Sequence, residues 1–347
     1  MESFKFHSGH QRAMYKRRKM TANERKIVFI IGALLVSFIL GCISTWFLMT
    51  VQNRIKTDFQ SGEAWGDRRV PTDYSFTSVS VLCWVMTSPE NLFERAIHIS
   101  QTWGPRCNLT LYVTSEVPDH PFPGRLLTVP VGEGRHSLWN KTRAAFTFIY
   151  THYRDKYDWF VKADDDTFII VDNLRYFLAS KDPMQLEYYG FHLRLPPEMG
   201  YAIDFISGGA GYVMGKETLQ TLIKVVFDDE KCHANGEIAE AAEDVMMAHC
   251  LREVGITIGH TLDSLGKHRF LVFKLTHFIY DNIGTWLPSY LVHNLTTGID
   301  CCSPYLISMH YVRPPEMYFL EYVTQRLRLA SLSKDHNYHF IGNEIPI

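Results

Sequence analysis

No basic stretch dense enough to track a phosphate backbone runs through the body of this chain, and its formal net charge is only −2. Nucleic-acid binding needs a concentrated positive surface, so that function class is excluded and no nucleic-acid partner is expected. There is no CxxC pair with histidines at matching spacing, which argues against a structural zinc site. The GxGxxG of a dinucleotide site and the lysine-terminated glycine loop that cradles phosphates are also missing. No internal repeat is apparent. What remains is a chain of 347 residues, 46% hydrophobic and 14% aromatic, with the apolar content of a well-packed globule of one large or two small domains.

Charge is absent from Ile27 to Val51. A helix of that length, at about 1.5 Å per residue, crosses a hydrocarbon core of roughly 30 Å, so a membrane span is expected in preference to a buried core helix. Lys16 to Lys19, Arg25 and Lys26 precede it and few basic residues follow at once. The basic head of residues 1–26 should therefore stay cytoplasmic and the rest be translocated, a type II arrangement. A cleavable signal peptide fits poorly with so long a basic head and apolar run. Residues 52–78 are polar and read as a stem, 79–325 as the globular body and 326–347 as a tail.

Cys42 lies within the span, leaving Cys83, Cys107, Cys232, Cys250, Cys301 and Cys302 for an oxidising compartment. Six cysteines allow 15 pairings. Local pairing would join Cys83 to Cys107 and Cys232 to Cys250, with Cys301 and Cys302 bonded to each other or elsewhere. Asn108, Asn140 and Asn294 each open an Asn-x-Thr sequon and are candidate glycan acceptors.

The strongest local signal is YDWFVKADDDTFIIVD, Tyr157 to Asp172. Trp159, Phe160 and Val161 suit a buried strand, whereas Asp164, Asp165 and Asp166 repel one another and are costly to desolvate unpaired. In extended backbone Asp164 and Asp166 face one way and Asp165 the other. Hard divalent cations take oxygen ligands, often one or two carboxylates plus substrate phosphates. A solvated acidic turn is the plainer alternative, but ligands of open α/β sheets bind beyond the carboxyl ends of strands, where this triplet falls.

Around it the pattern alternates. Val79 to Met86 reads as a first strand, Asn91 to Trp103 as a helix with Phe93, Ala96, Ile97 and Ser100 on one face, and Leu109 to Thr114 and Leu126 to Val131 as strands. Ser137 is placed to cap a helix from Leu138 to about Tyr153, with Phe146, Ile149 and Tyr153 on its apolar face. A helix to about Leu178 and a strand at Glu187 to His192 follow the triplet. In FISGGAGYVM, Phe205 to Met214, the glycines let another backbone or a ligand come close. Glu237 to Val254 reads as a helix stopped by Gly255, and Glu243 and Asp244 near its start are favoured by the helix dipole. Trp286 to Leu291 and Tyr305 to Val312 are strand candidates. By itself His310, at the end of the second, reads as structural. Such an order predicts a nucleotide-binding α/β layer.

TWG at Thr102 to Gly104, GRHSLWNKT at Gly134 to Thr142, DWFVKADDDTF, FISGGAGYVM, AEDV at Ala242 to Val245, Cys301-Cys302-Ser303 and His310-Tyr311-Val312 occur in one order. The series resembles the core 1 β1,3-galactosyltransferases (T-synthases) of glycosyltransferase family 31 over nearly all of Ser78 to Val312. The resemblance implies a GT-A fold, that is, a Rossmann-like α/β domain on a mixed sheet, with UDP-galactose as donor and Mn2+ as cofactor. It further implies inverting transfer to the 3-hydroxyl of GalNAc on Ser or Thr of a glycoprotein, a Golgi or other secretory-pathway membrane, and a homodimer. By the same resemblance Asp166 is a direct metal ligand, Asp164 a donor-site carboxylate beside it, His310 the histidine completing the metal site and Asp244 the catalytic base. Arg95, Trp103, Asp165, Gly208 and Gly209 fall in motifs lining the donor and sugar pockets. The segment Leu275 to Asn294 and the residues just before His310 depart from the family pattern. Two alternatives therefore stand beside this reading, a β1,3-glycosyltransferase with another acceptor and a non-catalytic chaperone-like relative.

Overall fold

The computed structural model describes residues 78–196, 198, 203–227 and 242–328. The expected span at 27–51, the basic head, most of the stem, Cys232, residues 237–241 and the tail from 329 lie outside the described residues. Among the described residues no helix is long and apolar enough to cross a membrane.

In chain order the elements are β1 (Val81–Met86), α1 (Ile97–Gln101, entered through a wide turn at Leu92–Ala96), β2 (Leu109–Thr114), β3 (Arg125–Thr128) and α2 (Leu138–Tyr153). Then come β4 (Trp159–Asp164), β5 (Phe168–Ile169), α3 (Val171–Leu178), β6 (Glu187–Gly190), β7 (His192–Arg194), β8 (Asp204–Ile206), β9 (Tyr212–Gly215) and α4 (Lys216–Thr221). The rest comprises α5 (Glu243–Glu253), β10 (Thr257–Ile258), β11 (Phe270–Leu271), α6 (Leu275–Ile279), α7 (Leu287–Tyr290), β12 (Ser308–Met309) and α8 (Pro314–Gln325).

A seven-stranded sheet in the order β10-β6-β9-β4-β1-β2-β3 forms the centre. Its strands β4, β1, β2 and β3 are parallel, while β9 runs antiparallel to both β4 and β6. The sheet is therefore mixed, as expected. β1 is buried along its whole length and its side chains alternate between two cores. Val81, Cys83 and Val85 join Leu92, Ala96, Ile99 and Trp103 on one face. Leu82, Trp84 and Met86 join Phe146, Ile149 and Tyr153 of α2 on the other. Helices thus cover both sides, which is why the strand reads as a continuous apolar run. Trp84 meets Phe146 edge-on at 5.1 Å, and side chains of this size each contribute about 1.5–3 kcal/mol on burial.

Several expectations need correcting. The buried face of the first helix is Leu92, Ala96 and Ile99; Phe93 is 38% exposed, because the wide first turn shifts the phase of the face. Ser137 makes no side-chain cap; it already has helical backbone, in a tight turn preceding α2. The expected strand at Trp286 to Leu291 is the short helix α7, since Pro288 in its first turn suits a helix and has no N–H for a ladder. The strand expected over Tyr305 to Val312 is confined to β12. At Phe191 the chain leaves the large sheet for the two-stranded hairpin β7–β8.

Cys83 and Cys107 are bonded, tying β1 to the loop before β2, and the neighbours Cys301 and Cys302 are bonded to each other. Cys250 is buried in α5, and its expected partner Cys232 lies outside the described residues.

Candidate metal and catalytic site

β4 carries its apolar run into the sheet and delivers Asp164 at its carboxyl end. The chain then closes a tight turn: Thr167 N–H donates to Asp164 O at 3.1 Å, and Asp164 N–H donates to Thr167 Oγ1 at 3.2 Å. Trp103 braces this turn from below, donating its indole N–H to Thr167 O at 3.0 Å. Trp103 is fully buried, so its side chain supports the acidic loop from inside the core.

A small sheet, β11-β12-β5, supplies the remote partner. Antiparallel pairing sets Met309 opposite Phe168 and Ser308 opposite Ile169, so the next residue, His310, arrives over the acidic turn. His310 Nε2 lies 3.1 Å from Asp166 Oδ1 and 3.9 Å from Asp164 Oδ2. Val312 N–H donates to Asp166 O at 2.8 Å, and Tyr311 between them holds a left-handed φ of 59°. Asp164, Asp166 and His310 each present a ligand atom within 4.8 Å of the others. Two carboxylates and an imidazole suit a divalent ion such as Mn2+ or Mg2+.

Asp165 points away, but the backbone at Asp165–Asp166 is a turn rather than the extended strand expected, so the turn and not strand alternation separates them. It is buried, accepts the Thr87 hydroxyl at 2.9 Å and lies 3.5 Å from Arg95 Nη1. Burial pushes its carboxyl up to about 7, aided by Asp164 and Asp166 and opposed by Thr87 and Arg95. Burial also acts upward on Asp166, but the hydrogen bond and charge of His310, with Arg95, hold it below the usual carboxylate value. Arg95, half-exposed at the rim, stands 3.7 Å from Asp166 Oδ2.

Gly208 and Gly209 form the other wall. Thr167 Oγ1 donates to Gly209 O at 2.8 Å. A Cβ on Gly209 would fall 2.0 Å from the His310 ring, so only glycine fits there. Gly208 N–H donates to Asp244 Oδ2 at 2.9 Å, while Val245 N–H donates to Asp244 Oδ1 at 3.0 Å. Burial raises the Asp244 carboxyl, and those two N–H groups with Lys162 oppose the shift. Next to it, Glu243 is buried and accepts the Thr142 and Tyr212 hydroxyls on Oε1 at 2.9 and 2.8 Å. Lys162, 2% exposed on β4, sits beneath both walls. Its Nζ is 2.5 Å from Asp164 Oδ1, 3.2 Å from Gly208 O and 3.8 Å from Glu243 Oε2. Burial acts to lower the lysine, yet Asp164, Glu243 and Asp244 outweigh it and hold the group charged.

The structure thus gathers Asp164, Asp166, His310, Gly208, Gly209 and Asp244, with Arg95 at the rim. Lys162, Glu243, Thr87, Thr142 and Tyr212 were missed from sequence. One signal was available: a lysine inside the Trp-Phe-Val-Lys-Ala strand has to find carboxylates. Asn108, Asn140 and Asn294 are all exposed. An apolar cleft of about 580 Å³ between β3 and α2, lined by Leu127, Phe148 and Phe227 among others, shares no residue with the acidic cluster.

A row of aromatic rings leads away from the cluster. His310 stacks on Tyr311 at 3.9 Å, Tyr311 on Phe273 at 5.9 Å, Phe273 meets Trp286 at 5.6 Å, and Trp286 meets Tyr290 at 5.3 Å. Tyr311 and Trp286 are 50% and 43% exposed.

Comparison with known proteins matches residues 77–269 to the family described as Fringe-like. Glycoprotein-N-acetylgalactosamine 3-beta-galactosyltransferase 1 of Xenopus laevis is 35% identical over 254 residues, covering 72% of this chain and 67% of that protein. A beta-1,3-glucosyltransferase of Mus musculus is 27% identical over 202 residues, 54% of this chain and 38% of its own. Chondroitin sulfate synthase 3 of Homo sapiens is 27% identical over 184 residues, 50% of this chain and 20% of its own.

Proposed function

The chain belongs to the Fringe-like family and is a glycosyltransferase; on that premise we propose that it transfers galactose from UDP-galactose, with inversion, to the 3-hydroxyl of GalNAc on Ser or Thr of glycoproteins. The observation that carries this reading is the placing of Asp164, Asp166 and His310 on one side of the Gly208–Gly209 turn and Asp244 on the other.

Asp164, Asp166 and His310 would hold Mn2+, which when bound supplies Lewis-acid stabilisation of the departing diphosphate. Everything else falls to the chain itself. Arg95 offers a cation at the rim, where it already reaches two aspartates. The two N–H donors fix the Asp244 carboxylate and leave each oxygen a further lone pair. That carboxylate takes the proton of the acceptor 3-hydroxyl as its oxygen attacks the anomeric carbon from the face opposite UDP. One displacement converts an α-linked donor into a β-linked product, with no covalent enzyme intermediate.

Trp286 and Tyr290 stand in the segment that departs from the family pattern, and the aromatic row they end offers ring faces to a sugar. A different acceptor is therefore the second reading, and it too uses the acidic cluster. We further propose that residues 27–51 anchor the chain as type II in a secretory-pathway membrane and that the protein acts as a homodimer.

The test is turnover by the purified protein of UDP-galactose with a GalNAc-bearing peptide and Mn2+, alongside a panel of other donors and acceptors. Transfer should fall at least about 10³-fold in Asp166→Ala and with EDTA. Turnover that persists without metal would sink the proposal, and transfer to another acceptor alone would select the second reading.

A further inference from the structure

Lys162 is the charged side chain that, among the described residues, joins carboxylates of both walls. Its ammonium takes up Asp164 Oδ1, so only Oδ2 of that carboxylate is left facing His310 and Asp166. It also donates to the carbonyl of Gly208, the residue whose N–H holds Asp244 Oδ2. Through Glu243 Oε2 it reaches the first turn of α5, where Glu243 and Asp244 are adjacent. A buried lysine placed only to neutralise charge needs one carboxylate; this one spans two walls and a backbone carbonyl.

We propose that Lys162 is a positioning residue that couples the two halves of the site, presenting a single Asp164 oxygen to the cation pocket while fixing, through Gly208 and Glu243, the helix end that carries Asp244. The inference rests on the metal-dependent reading above. It implies that a change at Glu243, the α5 residue that Lys162 reaches, is felt in the cation pocket although no α5 residue belongs to the Asp164–Asp166–His310 cluster.

The experiment titrates the full-length, detergent-solubilised protein with Mn2+ alone, following free Mn2+ by electron paramagnetic resonance, and records Tm and the rate at saturating Mn2+. Lys162→Arg keeps the charge but replaces a point donor by a planar fork. It should weaken Mn2+ binding about tenfold and lower the saturated rate by a similar factor, in the range seen when outer partners of metal ligands are changed. Glu243→Gln is nearly isosteric and leaves an amide oxygen for the Thr142 and Tyr212 hydroxyls. It should also weaken Mn2+ binding, by roughly three- to tenfold, and the double variant should lose less than the product of the two. If Lys162→Arg fails to fold, Glu243→Gln decides alone. A lower Tm in Glu243→Gln with wild-type Mn2+ affinity and rate would make the network purely structural and overturn the coupling. Wild-type protein that binds no Mn2+ would overturn the metal-dependent reading and this inference with it.

Discussion

Two acidic pairs flank the Gly208–Gly209 turn, Asp164 with Asp166 and Glu243 with Asp244, and the chain treats them in opposite ways. The second pair is closed: two hydroxyls and an ammonium serve Glu243, and two backbone N–H groups serve Asp244. The first is open. Asp166 has His310 and, at the rim, Arg95, and Asp164 has one oxygen on Lys162 and the other aimed at a gap shared with His310. Carboxylates thus acquire different chemistry from their neighbours. A satisfied carboxylate can be held ready to accept a proton, while an under-satisfied pair calls for a cation from outside.

The contrast can be broken from its open side first. Asp166→Ala should lower the transfer rate about 10³- to 10⁴-fold, the size expected when Lewis-acid stabilisation of several kcal/mol is lost. It should abolish Mn2+ binding and leave Tm nearly unchanged, checked by paramagnetic titration and calorimetry. Asp244→Asn should cost roughly 10²- to 10³-fold in rate with Mn2+ affinity unchanged. Because burial raises the Asp244 carboxyl and the base must be unprotonated, the wild-type rate should fall as pH drops through that raised value. A pH–rate profile should show this limb, and Asp244→Asn should lose it. Gly209→Ala would push a Cβ into the His310 ring and should weaken Mn2+ binding roughly 10- to 100-fold without touching Asp244. The smallest effect sharpens the closed side: Tyr212→Phe leaves Glu243 with one hydroxyl fewer and should destabilise by about 1–3 kcal/mol, read as a shift in Tm, with Mn2+ affinity unaltered.

The open pair was legible in sequence and most of the closed pair was not. Three aspartates after Trp-Phe-Val announce themselves through charge against an apolar background. The central layer was equally plain, because β1, β2, β4 and α2 follow apolar runs or periods long enough to see, and β2 and α2 fall where expected. His310 was another matter. It reaches Asp166 through two-residue pairings of β11, β12 and β5, too short for any period to show, and only resemblance singled it out. Trp286 to Leu291 misled because aromatic and apolar residues outweighed Pro288, and Phe93 misled because a wide turn changed the phase. Glu243 passed as a dipole-favoured helix start, although its carboxylate is committed across the core to Thr142 and Tyr212.

That last commitment reaches beyond catalysis. Thr142 is the third residue of the sequon at Asn140, and in the folded chain its hydroxyl is fully buried on Glu243 while Asn140 itself faces outward. An enzyme that reads a sequon must reach this hydroxyl, so a glycan at Asn140 has to be attached before α2 closes on α5. Were Asn140 to carry a glycan, its occupancy would act as a clock, recording whether modification outran folding in each molecule, and slowing the docking of α2 would raise it.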